Sequence, residues 1–463
     1  MTTRTGSALD LRAIIDQRPF SPYQWLILSL CFLIIFIDGF DVGAVGFVAP
    51  ALVTGWGVHR EALGPVLSAA LVGLAIGSLG SGPFADRYGR KTVLVVSVGL
   101  FGIFSIASGF ADNLDHLTLL RFLTGLGLGG AMPNATALTA EYCPARHRSI
   151  LVALMFSGYT FGSALGGFIA AYLIPHFGWP SVFIAGGVVP LILVGALAVF
   201  LPESPRFMAA GGRPREKIVA ALTRIAPDAK AEIEAAASFT IPEQAAALRG
   251  KPVKTILTPP LLAGTILLWI VFFSGLVVVF LLTSWLPTLL KGAGFTLRDS
   301  ALISALFQLG GTAGALLIAW LMGKIGPHLA IGASYVIAAG FVFVMGTSIH
   351  NVALLSVCVL GAGFFNSGAQ TAVNALSSSF YPTQARATGL GAMQGIGRCG
   401  AILGAYIGGP LLAMGFSFEK IIEGLAVPAL IAGLAMGLKG LYYARKGSGG
   451  EGSAAAAPAA GTA

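Results

Sequence analysis

From Trp25 to Pro50 the chain runs for about 26 residues with two charged side chains and no others, Asp38 and Asp41. As a helix rising ~1.5 Å per residue this stretch is roughly 39 Å long, enough to cross a bilayer of ~30 Å hydrocarbon thickness with some tilt. A charge near the bilayer centre costs on the order of 2.5–3.5 kcal/mol even on lenient insertion scales, so such a group faces a bundle interior or a watery cavity. At spacing i, i+3 the two carboxylates share one helix face. Held so close in a low dielectric they repel, which makes the pair a candidate proton site. The competing reading is that one aspartate ion-pairs with a basic residue on a neighbouring helix and holds a bundle together.

The rest of the chain extends this pattern. Of 463 residues, 56% are hydrophobic and 10% charged, against ~25% charged in soluble domains. The chain reads as an all-α polytopic membrane protein with about twelve spans. Six fall near 25–50, 63–84, 92–111, 117–140, 150–173 and 181–201, and six near 261–287, 300–322, 328–348, 352–375, 385–412 and 422–443. The net charge of +9 does not indicate nucleic acid, because Lys and Arg gather in alternate loops. Arg87, Arg90, Lys91, Arg146, Arg148, Arg206 through Lys254, Lys324 and Arg386 share one side with both termini. The opposite loops hold Arg60, Lys291, Arg298 and Lys420 against six acids, so both termini are expected in the cytoplasm.

The expected divisions are a cytoplasmic segment at 1–22, a six-helix half at 23–202, a polar connector at 203–260, a second half at 261–443 and a disordered tail at 444–463. Leu9 to Ile15 is an amphipathic piece expected to lie along the cytoplasmic surface. The connector is too short for a sizeable core of its own. No cleavable signal peptide is expected, since the polar start leads into a span too long for one. Cys31, Cys143, Cys358 and Cys399 lie in or beside apolar spans with no CxxC and no His cluster. They read as packing residues, and no metal or cofactor is expected. No nucleophile–base set or phosphate loop points to an enzyme.

The halves repeat: Pro144 and Arg148 recur as Pro382 and Arg386, each 238 residues later. Parallel repeats of this kind belong to transporters that rock one half against the other around a midplane site. Between the second and third spans stands Gly82-Pro83-Phe84-Ala85-Asp86-Arg87-Tyr88-Gly89-Arg90-Lys91, in which a glycine permits a tight turn. Asp86 is placed to meet a helix N-terminus or a basic partner across the two halves, a contact that forms in one conformation and breaks in another. This run resembles the G-x-x-x-D-[RK]-x-G-[RK]-[RK] loop of the major facilitator superfamily. The superfamily's fold, twelve transmembrane helices in two pseudo-symmetric six-helix halves, is therefore expected. The counterpart Met322 to His328 keeps the turn but has Gly323 where Asp86 aligns, so the gate contact is expected to be one-sided.

Within that superfamily, Ser21-Pro22-Tyr23-Gln24-Trp25, Asp38-Gly39-Phe40-Asp41, the run Arg121 to Glu141 and Pro202-Glu203-Ser204-Pro205-Arg206 resemble the aromatic acid:proton symporter family. The resemblance implies inner-membrane import of a benzoate-type acid, such as 4-hydroxybenzoate or protocatechuate, with protons. It also implies roles for Asp38, Asp41, Arg121 and Arg398. The paired glutamines of sugar porters are missing between Leu261 and Pro287. Alternatives are a proton-driven exporter of drugs or aromatic acids, an importer of muconate or gentisate, and a sensor that binds such acids without transport. Gly158 to Gly167 resembles an antiporter motif but has Ser163 where that motif needs Pro. A monomer is expected.

The residues support specific roles. Arg398 lies about 13 residues into its span, roughly 20 Å up, the one basic residue placed so deep in the second half. Its fork matches a substrate carboxylate, the alternative being a structural pair with an aspartate. Arg121 either pairs with Asp41 or touches substrate. Glu141, among Arg146 and Arg148, reads as a gate ion pair rather than a proton site, and Arg386 and His328 join the gating set. Asn134, Gln308, Asn366, Gln370 and Gln394 either read a ring hydroxyl or bond between helices. Trp269 and Tyr159 are candidate ring contacts. Gly158, Gly162, Gly166 and Gly167, and Gly391, Gly395, Gly404 and Gly408, form small-residue faces that permit close approach and sliding.

Overall fold

A computed structural model describes residues 8–210, 214–236, 238–240, 252–382 and 385–447. The first half holds α1 (Pro22–Trp56), α2 (Gly64–Tyr88), α3 (Arg90–Ser108), α4 (Leu114–Tyr142), α5 (Arg148–Phe177) and α6 (Pro180–Phe200). The second holds α7 (Leu262–Gly292), α8 (Leu297–Ile325), α9 (Pro327–Thr347), α10 (Val352–Phe380), α11 (Arg386–Ala413) and α12 (Phe418–Ala444). Among the described residues eleven helices have the length and apolarity to cross a membrane. The twelfth, α4, is 29 residues long but carries Asp115, Arg121, Asn134 and Glu141, and it depends on neighbouring helices to cover those groups. Residues 1–7, 383–384 and 448–463, and 211–213, 237 and 241–251 of the connector, lie outside the described set.

Local chemistry fixes the helix ends. Ser21 Oγ accepts from Gln24 N while Gln24 Oε1 accepts from Ser21 N at 2.7 Å, with Pro22 opening α1. Within the Gly82–Lys91 run α2 continues through Gly82 and Pro83 to Tyr88. The chain turns at Gly89, φ 94°, and its counterpart between α8 and α9 is Gly326, φ 86°. A side chain is strained there, so both halves use glycine for the same bend.

Backbones meet directly where α1 crosses α5. A Cβ on Gly162 would lie 1.8 Å from Phe36 O, and one on Gly39 would lie 2.0 Å from Tyr159 O. Gly404 and Gly408 of α11 press likewise on Val277 and Trp285 of α7, whereas Gly391 and Gly395 face open space. Gly162→Val is therefore expected to reduce thermal stability and membrane yield, by overpacking worth ~1–3 kcal/mol or more. Gly391→Ala should leave both unchanged, and unaltered melting of Gly162→Val would refute the close crossing.

The apolar core divides in two along the membrane normal. Far from the termini, Val48, Leu52 and Leu63 of the first half share one core with Leu281, Trp285, Leu289 and Phe307 of the second. Nearer the termini the halves have separate cores, one including Ile27, Leu94, Leu138 and Leu197 and the other Leu268, Ile331, Val373 and Met393. The α2–α11 seam shows the same division. Gly64 abuts Tyr406 and Leu71 packs with Ala401 and Ala405. Beyond that level a Cβ built on Gly82 of α2, or on Gly391 or Gly395 of α11, meets nothing within 4 Å. The halves are closed on the face opposite the termini and splayed on the terminus-bearing face.

The connector borrows the first half's core. Ile218, Leu222, Ile225 and Ile233 pack with Leu11, Ile14 and Ile15 and with Ile27 and Leu201. Ala8–Asp10 pairs in parallel with Ser238–Thr240, Leu9 opposite Phe239. The amphipathic piece thus begins as a strand, and its helix, Leu11–Asp16, is capped by Asp10 Oδ1 at 2.8 Å from Arg12 N. Its apolar face meets protein rather than a membrane surface, because the connector helices offer a matching apolar face.

Candidate substrate and proton site

Asp38 and Asp41 are 0% and 1% exposed, one turn apart on α1, yet their surroundings differ. Asp41 Oδ1 accepts from Arg121 Nη1 at 2.9 Å, and Arg121 is wholly buried. Arg121 Nη2 donates to Thr124 Oγ1 at 2.7 Å, and Thr124 in turn donates to Leu120 O at 2.7 Å. The guanidinium also lies 4.6 Å over the Phe183 ring. Of the two readings of Arg121, the structure contains the ion pair.

Asp38 has no such partner. Neither of its carboxylate oxygens has a hydrogen bond among the described residues, while the charges of Asp41 and Arg398 both act on it. An ionised carboxylate buried in this way is costly unless something neutralises it. Tyr159, half-buried on α5 where its backbone meets Gly39, is within electrostatic reach of both aspartates.

Arg398 crosses between the halves. From α11 its Nη1 donates to Leu74 O at 3.1 Å and to Ser78 Oγ, both on α2. This polar clasp joins α2 and α11 one turn beyond the Leu71–Ala401 contact, at the level where the splay begins. Gln394, one turn nearer the termini, is exposed along that opening.

The other polar candidates are engaged between or within helices. Gln308 Nε2 donates to Thr283 Oγ1 at 3.1 Å, and Gln370 Nε2 donates to Phe272 O at 3.2 Å while its Oε1 accepts from Tyr335 OH at 2.6 Å. Asn134 Nδ2 donates to Gly130 O at 2.8 Å, within α4. Asn366 Nδ2 donates to Gly275 O at 3.2 Å, but its buried Oδ1, like the buried indole N–H of Trp269, has no hydrogen-bond partner among the described residues. Asn366 stands in a π-helical turn, Gly363–Ser367, inside α10. Such turns concentrate at functional sites, and the sequence, with no proline to mark it, gave no warning of it.

Of the gating candidates, Arg90 and Glu141 form a network with the start of the connector. Arg90 Nη2 meets Glu141 Oε1 at 3.1 Å, and Ser204 Oγ donates to Glu141 Oε2. Glu141 thus pairs with Arg90, not with Arg146 or Arg148, because the turn at Gly89 brings the start of α3 under the end of α4. Glu203 Oε1 accepts from Lys91 N at 3.1 Å, and Tyr142 OH donates to Glu203 O at 2.8 Å. Asp86 and Arg87 are exposed; Arg87 lies over the Tyr88 ring at 5.3 Å, and Asp86 has no ion pair among the described residues. Arg148 is half-buried with its Nε unbonded, and Arg386 is exposed.

His328 is half-buried, with Nε2 3.1 Å from Lys439 Nζ. Lys439 is 1% exposed and lies 4.1 Å over the Phe380 ring. Arg398 is therefore not the only deep cation of the second half. A lone lysine in the last span was the visible signal for Lys439, and its nearness to the span's end disguised it as a snorkelling surface residue.

The sequence matches the Major Facilitator Superfamily over residues 31–405 and again over 299–457. It is 51% identical to the 4-hydroxybenzoate transporter PcaK of Pseudomonas aeruginosa, covering 94% of this chain and 96% of that one. It is 46% identical to the gallate transporter of Pseudomonas putida, covering 92% and 94%. In fold it is similar to the xylose transporter XylE from E. coli in an inward-open conformation, with TM-score 0.70 at 19% identity over 89% of this chain and 95% of that one. The chain belongs to the major facilitator superfamily, in the branch that holds the 4-hydroxybenzoate and gallate transporters.

Proposed function

We propose that this chain is a proton-coupled symporter of the bacterial inner membrane that imports benzoate-type carboxylates, 4-hydroxybenzoate, protocatechuate or a close relative, by alternating access. It works as a monomer with both termini cytoplasmic. The observation that carries this reading is Arg398 at the base of the splay, with the unpaired Asp38 within its field. The named relatives support the substrate class.

In the terminus-open state the guanidinium of Arg398 is held by Leu74 O and Ser78 Oγ. A substrate carboxylate is a stronger, bidentate partner and displaces them. Asn366 Oδ1 and the Trp269 indole N–H, buried and without a hydrogen-bond partner among the described residues, suit a ring hydroxyl and a ring face. A carboxylate entering against an inside-negative potential is opposed by ~2.3 kcal/mol per 100 mV. One proton, carried on Asp38, cancels that charge, and a second makes the potential assist.

Thermal-shift measurements in nanodiscs should show stabilisation by 4-hydroxybenzoate and protocatechuate. Arg398→Gln should abolish that shift and cut uptake by ~100-fold, while inserting normally. Near-normal uptake by that variant would reject the role of Arg398, and accumulation only in inverted vesicles would reject import.

A further inference from the structure

On the face opposite the termini, a cavity of about 770 Å³ opens sideways at the seam between α5 and α8. Phe168, Tyr172 and His176 of the first half line one wall; Lys291, Arg298 and Leu302 of the second line the other. Its two ends differ in chemistry. Phe168 sits nine residues before the end of α5, roughly 14 Å below it, and with Tyr172, 60% exposed, continues an apolar strip on the outer face of α5 that includes Phe161 and Leu165. The rim carries the cations. No side-chain hydrogen bond or ion pair of Lys291 or Arg298 is found among the described residues. The nearest acid in sequence, Asp299, is held by Thr296 Oγ1 at 2.7 Å. His176 stacks on Tyr172 with ring centres 4.6 Å apart.

A ligand for this place needs an anionic head at the membrane surface and an apolar tail reaching down a lipid-facing groove. We propose that the α5–α8 groove binds one anionic phospholipid, its phosphate between Lys291 and Arg298 and an acyl chain along Phe168, Tyr172 and Leu302. A small aromatic acid offers the charge but nothing to fill the apolar length. Because the walls come from different halves, the lipid spans the seam in the state where this face is closed and favours that state. The proposal stands on charge complementarity and on continuity with the lipid-facing surface, independently of which substrate is carried.

The test uses the full-length protein in dioleoylphosphatidylcholine nanodiscs, titrated with dioleoylphosphatidylglycerol and read by native mass spectrometry. Wild type should retain one phosphatidylglycerol with a defined Kd. Lys291→Gln/Arg298→Gln should weaken it by roughly thirtyfold, about fivefold for each cation, with melting in pure phosphatidylcholine unchanged. Lys420→Gln, a charge loss on the same face away from the groove, should bind as wild type. The idea fails if the double variant retains the lipid as wild type does, or if Lys420→Gln loses it equally. It also fails if glycerol phosphate or 4-hydroxybenzoate at millimolar concentration displaces the lipid, since the groove would then serve a water-soluble anion.

Discussion

Arg121→Ala is expected to leave little folded protein in the membrane. The guanidinium is wholly buried, pairs with Asp41 at 2.9 Å, donates to Thr124 and lies over Phe183. Removing one member of such a pair strands the other charge, which costs ~3–5 kcal/mol, a fall of two to three or more powers of ten in the folded ratio. Side-chain truncation adds a cavity beside Phe183. The mechanism separates this effect from a lost substrate contact. If stranding Asp41 is the cause, Asp41→Asn in the same chain should restore much of the melting temperature and yield, since a neutral amide is cheaper to bury than an unpaired carboxylate. Fluorescence-detected size exclusion and thiol-reactive melting curves report both quantities. Wild-type melting of Arg121→Ala, or no rescue by the second substitution, would refute the pair's structural role.

How far the sequence could be read depends on the range of the interaction concerned. Hydropathy, loop charge and the Gly82–Lys91 run are local, and they gave the span count, the two halves and the superfamily. Even α4, less apolar than its neighbours, was legible from its length and flanking charges. Pairings across space were not. Glu141 stands five residues from Arg146 in sequence but meets Arg90, because the Gly89 turn brings α3 beneath α4. The connector's polar composition hid a helix face, Ile218, Leu222 and Ile225, that needs a partner and finds one in Leu11, Ile14 and Ile15. Glycines read as one sliding face on α11 divide into Gly404 and Gly408, packed on α7, and Gly391 and Gly395, facing the opening. Periodicity cannot tell a packed stripe from one lining a cleft.

Asp38→Asn is expected to convert accumulation into passive equilibration while leaving substrate binding intact. The two aspartates look equivalent in sequence, but one is neutralised by Arg121 and the other has no hydrogen-bond partner among the described residues. Asparagine is close in size and carries no charge, so it mimics a permanently protonated Asp38 and removes the proton from the cycle. An anion moving without a proton is subject to the full membrane potential, which at 100 mV inside-negative opposes entry by ~2.3 kcal/mol, or about 50-fold exclusion at equilibrium. Counterflow exchange of labelled for unlabelled 4-hydroxybenzoate needs no net proton movement and should persist, and so should the thermal shift. Asp41→Asn should behave differently: it strands the Arg121 guanidinium, so its first symptom is lower stability rather than selective loss of coupling. Proteoliposomes under an imposed pH gradient, assayed for accumulation and for exchange in parallel, distinguish these outcomes. If Asp38→Asn still accumulates substrate in a gradient-dependent way, the proton travels elsewhere, and the partnerless carboxylate on α1 is not its carrier.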